Sequence, residues 1–362
     1  MRGHLSGLAV GFAVPPSFGR YREGFGFEDR ETGVGGSELL LLDTSEALAS
    51  EGALVTVFLA DRRGWYTTRA GAVVEFRPFG EVSSWAGDVL VLYRFGVSAD
   101  ALPRNSRIVG WVADPPALAA PADTIQLASA VEHIVALSPY QAGMYERFMD
   151  ENGWGGARRP TVSVIPPGVF PVEIQQHAKV PDQAIFCSVP EQGLDVLLDA
   201  WPAIRAERPS ARLIVTSDYT LWGLRGEADD WRARFAKDQG VVVSGAVPRS
   251  RLLRLQAEST LHLHPALVPE NFCISSLECQ AAGTPTITSN VGAMTTTVVD
   301  GSTGICIPAE PAASFVERYV ERTLEIWTHP EDLAAMASRA RARAIEEFDY
   351  ATVARQWAAV IV

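Results

Sequence analysis

Short runs of β-branched and other apolar residues alternate along the chain with stretches whose apolar positions recur every three or four residues. The first pattern is that of a buried strand and the second that of a helix face. In the first half it predicts strands at Leu8–Val14, Leu54–Ala60, Val73–Phe76, Val89–Tyr93, Ile108–Val112, Ile134–Leu137 and Val162–Ile165, with helices at Ser37–Glu51 and Pro139–Asp150. Pro166–Pro181 interrupts it with four prolines and reads as a semi-rigid connection. The alternation then restarts, with strands at Ile185–Val189, Leu213–Thr216, Val241–Ser244, Leu261–His264, Pro285–Thr288 and Ile305–Ile307. The helices between and after them are Gly193–Ala206, Ala228–Lys237, Arg249–Glu258, Ile274–Ala282, Ala312–Trp327, Pro330–Ile345 and Tyr350–Ile361. Such alternation means βαβ units and parallel sheets covered on both faces. Two doubly wound α/β domains are expected, 1–170 and 171–347. In such sheets ligands bind beyond the carboxyl ends of the strands, so a cleft between the domains is the expected site.

Composition narrows the classes. The 362 residues allow one large or two medium domains, and 47% hydrophobic with 20% charged residues is enough for a sizeable core. A net charge of −12 argues against a nucleic-acid partner and gives no support to docking on anionic lipid. No apolar run reaches the roughly 18 residues of a membrane span. Leu5–Val14 lies behind Arg2 and His4 and mimics a leader. Pro15 and Pro16 follow it without a small-x-small cleavage pattern, so a first buried strand is expected instead. Cys187, Cys273, Cys279 and Cys306 form no C-x-x-C pair. They read as buried thiols in a reducing, cytoplasmic compartment, neither a disulfide framework nor a zinc site. Lys179 and Lys237 are the only lysines among 31 basic residues, a usage that looks like a high-GC bacterial genome.

The stretch Pro269–Pro285 carries the most chemistry. Glu270 stands just before a predicted helix and Glu278 about two turns into it. A helix start offers unpaired amides and a positive dipole end, which suit a phosphate. Glu278 falls among apolar residues, where a carboxylate needs a partner, and a ribose diol is one. On the bare residues, an acid at a helix mouth and a partly exposed glutamate explain the spacing equally well.

This stretch resembles the E-x7-E signature of retaining GT-B glycosyltransferases, family 4 (the glycosyltransferase 1 group), with both acids, the aromatic at Phe272 and the Ala-x-Gly-Thr-Pro tail. Gly35-Gly36-Ser37-Glu38 resembles the N-terminal glycine loop, Ala136-Leu137-Ser138 with Gln141 the sixth-strand helix start, and Val164–Val169 the hinge. Gly193–Leu198 resembles the Gly-Leu-Asp helix and Asp300–Gly304 the closing turn. The resemblance covers nearly the whole chain. It implies a GT-B fold of two Rossmann-like domains, with the 348–362 helix packing back on the first through Val353, Trp357, Val360 and Ile361. It also implies sugar transfer from a nucleotide-sugar donor with retention, without a metal or cofactor. Glu270 is then expected at the sugar hydroxyls and Glu278 at the ribose. Phosphate and base contacts are expected from Gly35 and Gly36, from Ser188, Gln192, Gly193 and Val247, and from Asn271, Phe272, Cys273 and Ile274.

Two departures from the family pattern stand out. Ser188 and Gln192 occupy the approximate places of an Arg and a Lys that neutralise the diphosphate, and neither carries charge. Lost cations remove stabilisation from a departing diphosphate, so either another arginine reaches in, with Arg94 and Arg225 the candidates, or the donor is bound unusually, or activity is weak. Ala113 stands where related sequences often carry a histidine. Asp114 remains, either to position an acceptor hydroxyl or to cap the turn before Pro115. His262 and His264 share one strand face, but without a third ligand at fitting spacing they are expected to be hydrogen-bonded core histidines. A dinucleotide-dependent oxidoreductase would need a Gly-x-Gly-x-x-Gly fingerprint that the chain lacks. A pyridoxal-phosphate phosphorylase would need a Schiff-base lysine, and neither lysine is placed for it. The expected partners are a nucleotide-sugar donor and a soluble saccharide or small-molecule acceptor; donor base, sugar, acceptor and oligomeric state stay open. The missing cations keep a second reading alive, a degenerate nucleotide-binding or partner subunit.

Overall fold

A computed structural model describes residues 5–15, 25–94, 97, 99–116, 130–153, 159–216 and 240–362. The expected helix Ala228–Lys237 and Arg225 lie outside them. The chain divides into two compact units. One holds Met1–Phe27, Gly36–Gly168 and Tyr350–Val362, the other Glu28–Gly35 and Val169–Asp349.

The first unit is built on an eight-stranded sheet. Its strands are β1 (Ala9–Val14), β2 (Leu54–Leu59), β3 (Gly64–Thr67), β4 (Val73–Arg77), β5 (Val89–Tyr93), β6 (Arg107–Trp111), β7 (His133–Ala136) and β8 (Thr161–Val164). Their order is β3-β4-β2-β1-β5-β6-β7-β8. All pair in parallel except β3, which runs antiparallel to β4. β5 is buried at every position, which explains its unbroken apolar run. β3 escaped the hydrophobic pattern because it is an edge strand. Its residues alternate between half-buried and exposed, Trp65 is 76% exposed, and Tyr66 stacks on Phe27 at 3.8 Å.

The last helix, Tyr350–Ile361, completes this unit. Its buried stripe is Tyr350, Val353, Ala354, Trp357, Val360 and Ile361. The Trp357 ring lies 5.0 Å from that of Trp111 and 6.3 Å from that of Phe12. Burial of three large rings gives this helix a strong apolar anchor.

The second unit carries six parallel strands: β9 (Gln183–Phe186), β10 (Arg212–Val215), β11 (Val241–Val243), β12 (Leu261–His264), β13 (Thr286–Ser289) and β14 (Gly304–Ile307). Their order is β11-β10-β9-β12-β13-β14. Helices Leu194–Glu207, Arg249–Glu258, Ile274–Ala281, Phe315–Thr328 and Pro330–Phe348 accompany them. The expected Ala312–Trp327 helix is a 3-10 turn, Ala312–Ser314, leading into Phe315–Thr328.

The boundaries differ from the expected 1–170 and 171–347 for two local reasons. Val169 donates its amide to the Phe348 carbonyl at 2.7 Å, which draws the linker start into the second unit. Glu28–Gly35 joins that unit as well, because the Glu31 carboxylate accepts the Ser250 amide at 3.2 Å. Lys179, in the linker, donates to Thr284 Oγ1 at 2.6 Å, and burial lowers its pKa to about 8.

Candidate active site

In the second unit, β12 ends in His264 and the chain then turns through Pro269-Glu270 into the helix Ile274–Ala281. His264 is fully buried, and its Nε2 lies 2.7 Å from Glu270 Oε1 and 3.6 Å from Cys273 Sγ. Burial alone would strip the ring of its proton. The neighbours Cys273 and Glu270 outweigh it and hold His264 well above its ordinary value. Burial also raises the Cys273 thiol, which keeps it neutral, so the carboxylate of Glu270 is the partner that matters. The pair is a charge-assisted hydrogen bond that fixes the direction of Glu270.

A second device fixes the same loop. Gly292 has φ +63, and a Cβ there would meet the Glu270 nitrogen at 2.7 Å and its oxygen at 2.8 Å. The Glu270 carbonyl also accepts the Ala293 amide at 2.9 Å. Only a glycine lets the two loops approach this closely. Past Glu270, Phe272 is buried 6.0 Å from the Phe348 ring. Cys273 is the N-cap of the helix and makes no side-chain cap bond, so the first-turn amides lack that partner.

Glu278 is buried, with 4% of its surface exposed, and accepts from Arg249 Nη1 at 2.8 Å and Gln256 Nε2 at 3.3 Å. The partner its burial demanded is therefore Arg249, which the sequence reading missed. Nothing in the spacing pointed to it: Arg249 opens a helix 29 residues upstream. Glu173 lies 3.5 Å from the same guanidinium.

The loop after β9 contains Ser188 and the 3-10 turn Pro190–Gln192. Gly193 closes it with φ +103, and a Cβ there would strike the Pro265 carbonyl at 2.6 Å. This glycine thus sets the loop against the segment that follows β12. Gln192 Oε1 is buried without a partner among the described residues. Val247 lies in the turn between β11 and the helix Arg249–Glu258, and Asn271 is half-buried beside Glu270. Gly35 also belongs to this unit.

The expected first-unit residues form a separate cluster. Arg94 follows β5 with φ 70, buried, its Nε 2.9 Å from Asp114 Oδ2 and its Nη2 2.6 Å from Ser37 Oγ. Ser37 stands one residue after Gly36, which starts the helix Gly36–Ser50. The Asp114 carbonyl accepts from Tyr145 Oη at 3.1 Å and Gln141 Nε2 at 3.2 Å. Burial raises both Asp114 and the adjoining Glu38, and Arg94 offsets only part of it. Arg94 therefore has an anionic partner within its own unit.

All four cysteines are free, and two of them come together in space. Cys187 and Cys279, distant in sequence, lie with their sulfurs 3.9 Å apart beside His262. Spacing along the chain could not reveal that constellation. His264, for its part, is a core histidine whose partner is a candidate catalytic acid.

With this geometry in place, residues 184–323 match the family model described as glycosyl transferases group 1. That match lies wholly within the second unit. It is 30% identical over 178 residues to a glycogen synthase of Mycobacterium tuberculosis, covering 47% of this chain and 39% of that enzyme. It is 25% identical over 225 residues to a D-inositol 3-phosphate glycosyltransferase of Segniliparus rotundus, covering 58% and 48%. These matches span less than half the length of the curated relatives. Among solved structures, Anabaena HepE in complex with UDP-glucose superposes with TM-score 0.71 at 17% identity, covering 98% of this chain and 99% of that one. Sucrose-phosphate synthase from Thermosynechococcus elongatus superposes with TM-score 0.70 at 14% identity, covering 98% of both chains. The two units have the GT-B fold. No helix among the described residues is long and apolar enough to cross a membrane.

Proposed function

We propose that the protein transfers a sugar from a nucleotide-sugar donor to a hydroxyl of a soluble saccharide or small-molecule acceptor. The proposed reaction retains anomeric configuration and uses no divalent metal at the diphosphate. The observation that carries this reading is the His264–Glu270 pair at the mouth of the helix that bears Glu278. A carboxylate held by a protonated histidine accepts hydrogen bonds from sugar hydroxyls in a fixed direction. The amides that lead into the same helix, at Phe272–Ile274, are assigned the phosphate oxygens.

Glu278 is assigned the ribose. Its two oxygens meet Arg249 and Gln256, one each, and a carboxylate offers about four lone-pair sites. Lone pairs remain for two ribose hydroxyls, and Arg249 keeps the carboxylate oriented. From the first unit, Asp114 is assigned the acceptor hydroxyl and Arg94 its positioning, with the amide of Gly36 as a donor-phosphate contact.

A specific observation favours a second reading. Ser188 and Gln192 are uncharged, and Arg94 is engaged by Asp114. A subunit that binds nucleotide without turning it over fits those facts. A panel of nucleotide-sugars, scored in parallel for released nucleoside diphosphate and for donor-induced thermal shift, separates the two. Release supports the transferase; a shift without release supports the binding subunit.

A further inference from the structure

Behind the acid-bearing helix lies a cluster that the proposed reaction leaves unused. Cys187 follows β9, His262 stands in β12, and Cys279 lies on the helix Ile274–Ala281 next to Glu278. His262 and Cys279 are fully buried and Cys187 is half-buried. One ligand atom from each lies within 4.8 Å of the other two.

We infer that Cys187, His262 and Cys279 form a zinc-binding site that ties the loop after β9 to the helix carrying Glu278.

The sulfur spacing fits an ion between them. Zinc–thiolate bonds of about 2.3 Å at a tetrahedral angle place two sulfurs about 3.8 Å apart. The observed separation is 3.9 Å. The histidine fits too. Its Nδ1 meets Thr286 Oγ1 at 3.2 Å, and that hydroxyl meets Ser276 Oγ at 2.8 Å. Its Nε2 is buried with no hydrogen-bond partner among the described residues. A hydrogen bond on one ring nitrogen that fixes the orientation of the other is the usual support of a metal-bound histidine. Gln256 Nε2, 3.6 Å from Cys187 Sγ, donates toward a sulfur that carries negative charge as a ligand.

Charge selects the ion. Two thiolates and Zn2+ make a neutral group, which a buried site tolerates better than the net anion left by a monovalent copper. Binding breaks the S–H bond of each thiol that is protonated, forms the zinc–sulfur bonds and releases those protons to solvent. No electron is exchanged.

The test uses the full chain, reduced and freed of metal, titrated with zinc sulfate against a chromophoric chelator. One equivalent per chain is expected, with affinity falling on the order of 100-fold or more in Cys279→Ser. Cys306→Ser, outside the cluster, should leave uptake unchanged. Cobalt(II) loading should give a thiolate-to-cobalt charge-transfer band in the wild type that Cys187→Ser abolishes, a readout that stands if Cys279→Ser fails to fold. Three results would overturn the site: no uptake by the reduced chain, uptake that both cysteine variants retain, or stoichiometric copper(I) in its place. Because none of these readouts involves sugar transfer, the ion and the proposed reaction fail independently.

Discussion

The two units solve the burial of charge in different ways. In the first, one arginine serves a polar cluster drawn from three distant segments: Arg94 after β5, Asp114 after β6 and Ser37 at a helix start. In the second, each of two acids in a single short segment has its own cationic partner, His264 for Glu270 and Arg249 for Glu278. The first arrangement depends on the whole sheet holding its register. The second depends on one strand–loop–helix unit and two tight contacts, Gly292 and Gly193. The difference shows where damage should spread.

The largest effect is expected from the sheet-wide side. Trp357→Ala removes a buried ring from the Trp111–Phe12 group and should cost about 3–5 kcal/mol. Chemical denaturation should show the loss, and an unchanged midpoint would remove this helix from the first unit's core.

Glu278→Gln comes next and has two consequences. Donor affinity should fall by about 1.5–3 kcal/mol, the worth of hydrogen bonds to a charged group. Stability should fall as well, because Glu278 is the ion-pair partner of Arg249. Leaving a buried guanidinium short of its partner should cost on the order of 3 kcal/mol. Calorimetric titration and a melting curve read the two separately, and Arg249→Met in the same background should recover stability without recovering affinity.

Gln192→Lys places a charge where family members carry one, and should tighten nucleoside diphosphate binding by roughly tenfold. Arg94→Ala should leave that affinity nearly intact and lower turnover, because its partner is Asp114. The opposite outcome, with Arg94→Ala abolishing diphosphate binding, would reassign the arginine to the phosphate.

The pH response is smaller. His264 has a raised pKa in the folded chain, so its stabilising contribution is complete below the unfolded value near 6.5 and fades as pH climbs through the folded one. Imidazole resonances should show the ring protonated at neutral pH in the wild type and neutral in Glu270→Gln. The smallest expected effect is none: added Mg2+ or Mn2+ should leave turnover unchanged, and a requirement for either would put a metal at the diphosphate.

Much of the fold was legible because burial on both faces writes continuous apolar runs, as in β5 and β9. The exposed edge strand β3 wrote none. The acid pair was legible because both acids lie in one local segment with a helix-start pattern. Their partners were not. Arg249 and His264 reach the acids through tertiary packing, and the Cys187–Cys279 approach spans two elements that no spacing rule joins. The need for glycine at position 292 follows from Glu270 lying against it, a tertiary contact.

The central claim is that Glu270, held by His264, works on the sugar of a nucleotide-sugar donor. The most direct test measures nucleoside diphosphate released from a donor panel by the wild type and by Glu270→Gln. Release from at least one donor, lost by about two orders of magnitude or more in the variant while donor binding persists, is the predicted result. Equal release by both proteins would contradict it.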